Sequence, residues 1–457
     1  MGGGEEPRLR RRVKVIVVGG GLAGMAAALE CADSGAEVTL IEARPRLGGA
    51  TFSIKRDGVW MDNGQHVFLR CCTAYRSFLG RLGVTAQATL QNRLTIPIVA
   101  PGGRVARLRR ASLPAPLHLL PAIARFPFLS LRDRLGVARA VRPLSRLDLA
   151  DPDLDRRTFG AWLAEHGQSQ AAVDALWNLI VLPTVNLPAA EASLALAAKV
   201  FQTGLLDGSD AGDIGYAGIP LQELHGDAGA RALERAGVDV RVRVRVERID
   251  PSRGGFSVAC NGDGLEADAV VVAVPHEDAA ALLPGGALPH AGELPYLGAS
   301  PIVNLHLVYD RTVTDLPFAA GHASPVQWVF DRTRGSGVEE GQYLAVSLSC
   351  AREYVGRRVD ELRAQFVPAL EQLFPRARTA RLERFFVTRE QRATFRQGPG
   401  TAVLRPGPRT RVPGLYLAGA WTDTGWPATM EGAVRSGLAA ARELLSRLVE
   451  PELEAAA

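Results

Sequence analysis

Two stretches decide the fold: residues 13–24, Val-Lys-Val-Ile-Val-Val-Gly19-Gly20-Gly21-Leu22-Ala23-Gly24, and residues 37–49, Glu-Val-Thr-Leu-Ile-Glu42-Ala43-Arg44-Pro-Arg-Leu-Gly48-Gly49. A continuous β-branched run closed by glycines reads as a buried parallel strand and a tight turn, and the alanine-rich segment after it as a helix. Gly19 permits the sharp turn, Gly21 lets a pyrophosphate approach the backbone, and Gly24 lets the helix pack closely on the sheet. The helix start at Leu22 and Ala23 offers unpaired N–H groups and a partial positive charge to phosphates. Glu42 ends the second strand, where a carboxylate can accept two hydrogen bonds from a ribose diol. An acid there suits a free 2′-hydroxyl and argues against NADP. The dinucleotide-binding set is therefore Gly19, Gly20, Gly21, Leu22, Ala23, Gly24, Glu42, Ala43, Arg44, Gly48 and Gly49; the competing reading is an ordinary strand–turn–helix.

At 457 residues, with 47% hydrophobic and 22% charged residues, the chain is a globular protein of two to three domain lengths. Its five cysteines, Cys31, Cys71, Cys72, Cys260 and Cys350, have no metal-ligand spacing. An odd number without a signal peptide reads as reduced thiols in the cytoplasm. The basic start from Arg8 to Lys14 leads into an apolar run too short for a signal peptide, and no apolar segment reaches the ~20 residues that span a bilayer. The net charge of +5 is unevenly placed. From Arg93 to Arg146 arginines face a single acid, Asp133, and alternate with Leu117, Leu119, Leu120, Ile123, Phe126, Phe128 and Leu129. That pattern fits either adsorption to an anionic membrane, on the inner face of the cell membrane, or a solvated basic face. No nucleic-acid module accompanies it, so nucleic acid is not expected as a partner.

After Gly49, residues 51–69 read as a hairpin turning at Asp57-Gly58, then Asp62-Asn-Gly64-Gln-His66. Short strands are expected over 86–110. Mainly helical structure follows from Leu113 to about Ala198, with Thr158 capping a helix over Phe159–His166 and an alanine-rich helix over 189–206. A helix from about Leu221 to Ala236 precedes Val238–Ile249, whose strict alternation predicts one strand with a solvated face. Ala267–Val274 reads as a buried strand. Ile302–Tyr309, Val326–Phe330, Leu344–Ser349 and Leu382–Thr388 are the later strands, with a helix over Val359–Phe374. The closing segment, Leu-Tyr-Leu-Ala-Gly419-Ala420-Trp421-Thr-Asp423-Thr-Gly-Trp-Pro-Ala428-Thr-Met-Glu431-Gly432-Ala433, is a strand, a loop and a long helix from about Ala428.

The Arg44–Gly49 segment, the Asp-x-Gly-x-His segment and the closing segment together resemble the flavoprotein amine oxidase and carotenoid desaturase superfamily. Within it, Asp62–Tyr75, Gln327–Arg332, Leu404–Thr410 and Trp421–Gly437 resemble the hydroxysqualene dehydroxylase family of bacterial hopanoid biosynthesis. The resemblance implies FAD as cofactor and an α/β fold: a Rossmann-type FAD-binding domain (1–85, 205–290, 396–457) with an inserted α+β substrate domain (86–204, 291–395) containing the helical block 93–150. It also implies that Gly64, Val246, Gly419, Asp423, Glu431, Gly432 and Ala433 join the FAD site. The implied reaction is the conversion of hydroxysqualene, a long isoprenoid, to squalene by reduced FAD, supplied by an electron donor that the sequence does not identify. Candidates for the acid that protonates the leaving hydroxyl are His66, Asp423 and Tyr216; the competing and favoured reading of His66 is a structural histidine that holds a loop. Two departures stand out. Ala50 replaces the arginine usual after Gly48-Gly49, and Ala420 replaces the aspartate usual after Gly419, so that Asp423 substitutes or FAD is held more weakly. The alternatives are a carotenoid-type desaturase, an amine oxidase, disfavoured by the sparse lysines Lys14, Lys55 and Lys199, and a non-catalytic FAD-binding partner.

Overall fold

The computed structural model describes residues 12–454, so most of the basic start from Arg8 lies outside the described residues. The strand β1 (Lys14–Val18), helix α1 (Leu22–Asp33) and strand β2 (Glu37–Glu42) form the expected first unit. β1 is central in an all-parallel sheet of five strands, ordered 239–242, β2, β1, 269–272 and 415–417. Its strands come from three distant parts of the chain; β1, 269–272 and 415–417 are buried apolar runs because helices or loops cover both faces, whereas the edge strand 239–242, Asp-Val-Arg-Val, is largely exposed.

A second sheet of seven strands runs in the order 382–394, 300–309, 342–348, 328–331, 318–321, 95–100 and 104–109. The helix Val359–Leu373 covers one face, with Leu362, Phe366 and Leu370 buried against Val303, Leu305 and Leu307. On the other side the helical block from Leu117 to Leu206 shares a core with Ile96, Ile98, Phe318 and Phe330. A small sheet, 67–69, 214–217 and 88–90, fastens the two larger bodies together.

The hairpin at Asp57-Gly58 forms as expected, with φ of +50° and +82° at those two residues. The Thr158 hydroxyl accepts from the Ala161 N–H and caps the helix Phe159–Glu165. Four expectations need correction. The alternating stretch Val238–Ile249 is two strands: 239–242 extends the parallel sheet, and Val246 opens a three-stranded antiparallel meander. The break falls at Arg243, which has φ +61°, where the Arg243 and Val244 N–H groups donate to the carbonyls of Arg44 and Glu42. The strand expected at Leu382–Thr388 continues to Thr394 beside residues 300–309, and a strand at Phe318–Gly321 had no alternating signal. The alanine-rich helix starts only at Leu194, and wide π-turns occupy Gln202–Leu206 and Gln222–Asp227.

Candidate functional site

The glycines at the end of β1 are required by space as well as by backbone conformation. A Cβ on Gly24 would lie 1.9 Å from the Gly19 carbonyl oxygen, so only glycine lets α1 sit down on the turn. A Cβ on Gly49 would lie 2.7 Å from the Gly21 Cα, and the Gly48 N–H donates to the Gly20 carbonyl at 2.9 Å. The two glycine turns thus stand edge to edge at the N-terminus of α1, whose first turn carries no acid. This lane without side chains suits a pyrophosphate.

The buried Glu42 carboxylate accepts the Gly20 N–H through Oε2 and the Arg44 N–H through Oε1, each at 2.7 Å. These bonds fix its orientation and leave further lone pairs for a ribose diol. The corner at Arg243 carries the chain past this carboxylate to Val246, one of the residues that the resemblance assigns to the FAD site. Ala43 and Arg44 are exposed beyond it. Arg46, which the sequence reading passed over, donates to the Gly49 carbonyl at 3.3 Å and lies 3.5 Å over the Phe52 ring. It brings a guanidinium to the turn where Ala50 offers none.

The closing segment packs onto this cradle. A Cβ on Gly437 would lie 2.1 Å from the Ala23 carbonyl oxygen, and the Gly419 N–H donates to the Ser436 hydroxyl at 2.7 Å. Thr429 caps the start of the closing helix by accepting the Gly432 N–H, and the Ala433 N–H donates to the Thr429 carbonyl. The Glu431 carboxylate is buried and engaged elsewhere: it accepts the Ala74 and Tyr75 N–H groups at the start of the helix Thr73–Leu82, and pairs with Arg435 at 2.6 Å. Only its backbone is left to meet a ligand. Asp423 is exposed, accepts the Gly425 N–H in its own turn, and stands outside the residues lining the cleft at His66. The loop is held instead by Arg405, buried, which donates to the carbonyls of Trp421, Thr422 and Trp426.

Two of the three acid candidates do come together. Val67 pairs with Tyr216 across the small sheet, and His66 and Tyr216 line one cleft with Gln65, Phe330, Asp62 and Arg332. The His66 Nδ1 faces the Gly64 carbonyl at 3.1 Å. A carbonyl only accepts, so Nδ1 bears hydrogen and Nε2 is the nitrogen that gains and loses the proton. Burial holds the His66 pKa below its ordinary value, against the opposing pull of the Gly64 carbonyl and Asp62. Beneath the cleft, Arg332 donates to Asp62 at 2.8 Å and to the carbonyls of Ala217 and Ile219. Asp62 also accepts the Ser53 hydroxyl and the Leu221 N–H. This nearly buried pair clasps the seven-stranded sheet to the cofactor frame. Arg332→Met should leave the Asp62 charge uncompensated and cost about 3 kcal/mol. The check is the shift in the urea midpoint; an unchanged midpoint would show that the clasp contributes nothing to stability.

Four of the buried polar atoms without a partner lie on residues beside the second glycine turn and Gly64. Gln65 Nε2, Gln222 Oε1, His225 Nδ1 and Asn304 Oδ1 are buried and lack any hydrogen bond. A Cβ on Gly226 would lie 2.8 Å from the Leu47 carbonyl oxygen, so the π-turn carrying Gln222 and His225 is pressed against the second glycine turn. Asn304 donates through Nδ2 to the Asn63 carbonyl, next to Gly64. Each orphan costs about 1–3 kcal/mol unless a bound group supplies its partner. A heteroaromatic ring with alternating donors and acceptors fits this set, and the glycine lane fits the diphosphate attached to it.

Cradle and orphaned edges suit a dinucleotide, and the family match makes the protein an FAD-dependent oxidoreductase. Residues 22–445 match the family model described as flavin containing amine oxidoreductase, and the chain belongs to that family. Its relatives include the hydroxysqualene dehydroxylase of Rhodopseudomonas palustris, 30% identical over 445 residues that cover 94% of this chain and 98% of the relative. The zeta-carotene desaturase of Synechocystis is 26% identical, covering 95% of this chain and 97% of the relative. Among solved structures, a putrescine oxidase variant superposes with a TM-score of 0.72 at 21% identity, over 95% of this chain and all of that one. This last likeness concerns the fold alone.

Proposed function

We propose that the chain is a reductive dehydroxylase converting hydroxysqualene, an allylic isoprenoid alcohol, to squalene. The 30% identity with the Rhodopseudomonas palustris hydroxysqualene dehydroxylase, over 94% of this chain, supports this reading. Reduced FAD, when bound, would supply the hydride, and an external electron donor would have to renew it. Gly19–Gly24, Glu42, Gly48-Gly49 and the start of the closing helix would hold the cofactor. His66 passes a proton to the hydroxyl oxygen, with Tyr216 across the strand pair to orient that oxygen or relay the proton. Breaking of the C–O bond would release water, and the reduced cofactor, when bound, would supply the hydride for the new C–H bond. Alcohol, proton and hydride thus give hydrocarbon and water. Phe330, backed by Phe318 and Trp328, offers aromatic faces that favour a cation and exclude water.

The test is anaerobic: photoreduce the purified flavoprotein, add hydroxysqualene, follow the flavin absorbance and extract the product. Flavin reoxidation matched by squalene is the expected result. A reduced flavin indifferent to the alcohol, with an oxidised flavin that bleaches on phytoene-like hydrocarbons, would replace this reading by that of a desaturase, the activity named for the Synechocystis relative.

A further inference from the structure

The block between residues 104 and 139 combines two features that a purely solvated surface does not need. Five of the eleven large hydrophobic residues exposed among the described residues fall within it: Val105, Leu113, Leu117, Leu131 and Leu135. On the helix Leu131–Leu144, Val137, Ala140 and Leu144 are buried, while Leu131 and Leu135, one turn apart, stand outward, Leu131 with 71% of its surface exposed. The strand Arg104–Arg109 is the edge of the seven-stranded sheet and turns Val105, Arg107 and Arg109 to solvent, with Ala106 and Leu108 in the core. The short helix Leu120–Ala124 packs against both elements, so the strand and the helix belong to one surface region.

The second feature is charge. Arg107, Arg109, Arg125, Arg132 and Arg139 are exposed and pair with no carboxylate among the described residues. The one acid nearby, Asp133, already accepts the Ser130 and Ser169 hydroxyls. Unpaired guanidinium groups beside outward leucines call for a partner that is anionic and apolar at adjacent depths. A bilayer with acidic headgroups has that profile. A nucleic-acid duplex would satisfy the arginines and leave the leucines in water.

We propose that this block docks the protein on the face of an anionic bilayer, with Leu131 and Leu135 entering the acyl boundary and the arginines meeting headgroup phosphates. No helix among the described residues is long and apolar enough to cross a membrane, so the contact is peripheral. The cytoplasmic leaflet, where acidic lipids concentrate, is the surface that matches. One consequence rests on the isoprenoid reading above: Ile123, Phe126 and Leu129 of this block share their core with Phe330, which lines the cleft. The docked face would then belong to the same body as the cleft, which suits a substrate that arrives dissolved in the bilayer.

The test is flotation of the full-length flavoprotein with phosphatidylcholine vesicles, with or without phosphatidylglycerol. Wild type should float with the acidic vesicles, less so as salt rises. Leu131→Gln with Leu135→Gln should weaken partitioning about tenfold, and Arg132→Glu with Arg139→Glu by at least about fivefold per arginine. Both double variants should keep their thermal midpoint and FAD content, since the altered side chains are exposed. Failure of wild type to float with acidic vesicles, flotation of both variants as strong as wild type, or binding to duplex DNA in place of vesicles would each overturn the proposal. Normal flotation by a protein that does not turn over hydroxysqualene would support the docking surface while counting against the substrate.

Discussion

Replacing His66 by phenylalanine should slow reduction of the allylic alcohol in a single turnover by about a hundredfold or more, with FAD retained. General acid groups contribute roughly 10²–10⁴ to such steps, and an allylic C–O bond does not ionise at neutral pH unless its oxygen gains a proton. The geometry also sets a pH signature. Nδ1 is tied to the Gly64 carbonyl, and burial depresses the ring's pKa, so the imidazole is mostly neutral near pH 7. The proton-donating form becomes more abundant as pH falls. The wild-type rate should therefore climb from about pH 8 towards pH 6 and level off only below the depressed pKa, and that slope should vanish in the variant. Tyr216→Phe is the control. An undiminished rate in His66→Phe beside a large loss in Tyr216→Phe would move the acid role across the strand pair and leave His66 to shape the loop.

Why that pair was legible only one residue at a time is a matter of sequence distance. His66 stood out because it follows Asp62 and Gly64 closely, and Tyr216 because it opens the return to the cofactor frame. Nothing local joins them; the pairing of Val67 with Tyr216 is a long-range register that no periodicity encodes. The glycine cradle was readable for the opposite reason. Its residues are dictated by backbone contacts within a few positions, as the distance from a Gly24 Cβ to the Gly19 carbonyl shows. The break at Arg243 was hidden because an alternation of arginine and valine continues unchanged through a corner that one residue makes with positive φ. The π-turn at Gln222–Asp227 was equally hidden: it inserts one residue into an otherwise regular helical pattern, and that residue helps bring His225 to the site. Glu431 shows a further limit. Its position at the head of the closing helix suggested the cofactor, yet its carboxylate serves the N-terminus of a helix more than 350 positions away.

The protein should lose stability steeply between about pH 6 and pH 4.5, with two histidines as the principal cause. His225 is wholly buried, its Nε2 2.8 Å from the Tyr75 hydroxyl, and desolvation, with His66 nearby, pushes its pKa down to about 3. His306 lies in the seven-stranded sheet between the Tyr343 hydroxyl at 2.6 Å and the Thr388 hydroxyl at 3.0 Å, and burial alone pushes it down to about 3. In the unfolded chain both return to about 6.5. At intermediate pH the unfolded state therefore binds more protons than the folded one, so stability is fully present above about pH 6.5 and falls as pH is lowered towards 3. At pH 4.5 each histidine withdraws about 2–3 kcal/mol, and the pair about 5 kcal/mol, comparable with the whole stability of many proteins of roughly 5–15 kcal/mol. Surface carboxylates also weaken proteins in acid, so the decisive comparison is with His306→Gln, whose side chain can still bond Tyr343 or Thr388 but does not titrate. Urea midpoints at about pH 7, 5.5 and 4.5 should show a shallower decline in the variant, by roughly half of the histidine contribution. Parallel declines for wild type and variant would mean that His306 becomes protonated within the fold at little cost, through local opening at the edge of the sheet, and that its burial does not govern acid stability.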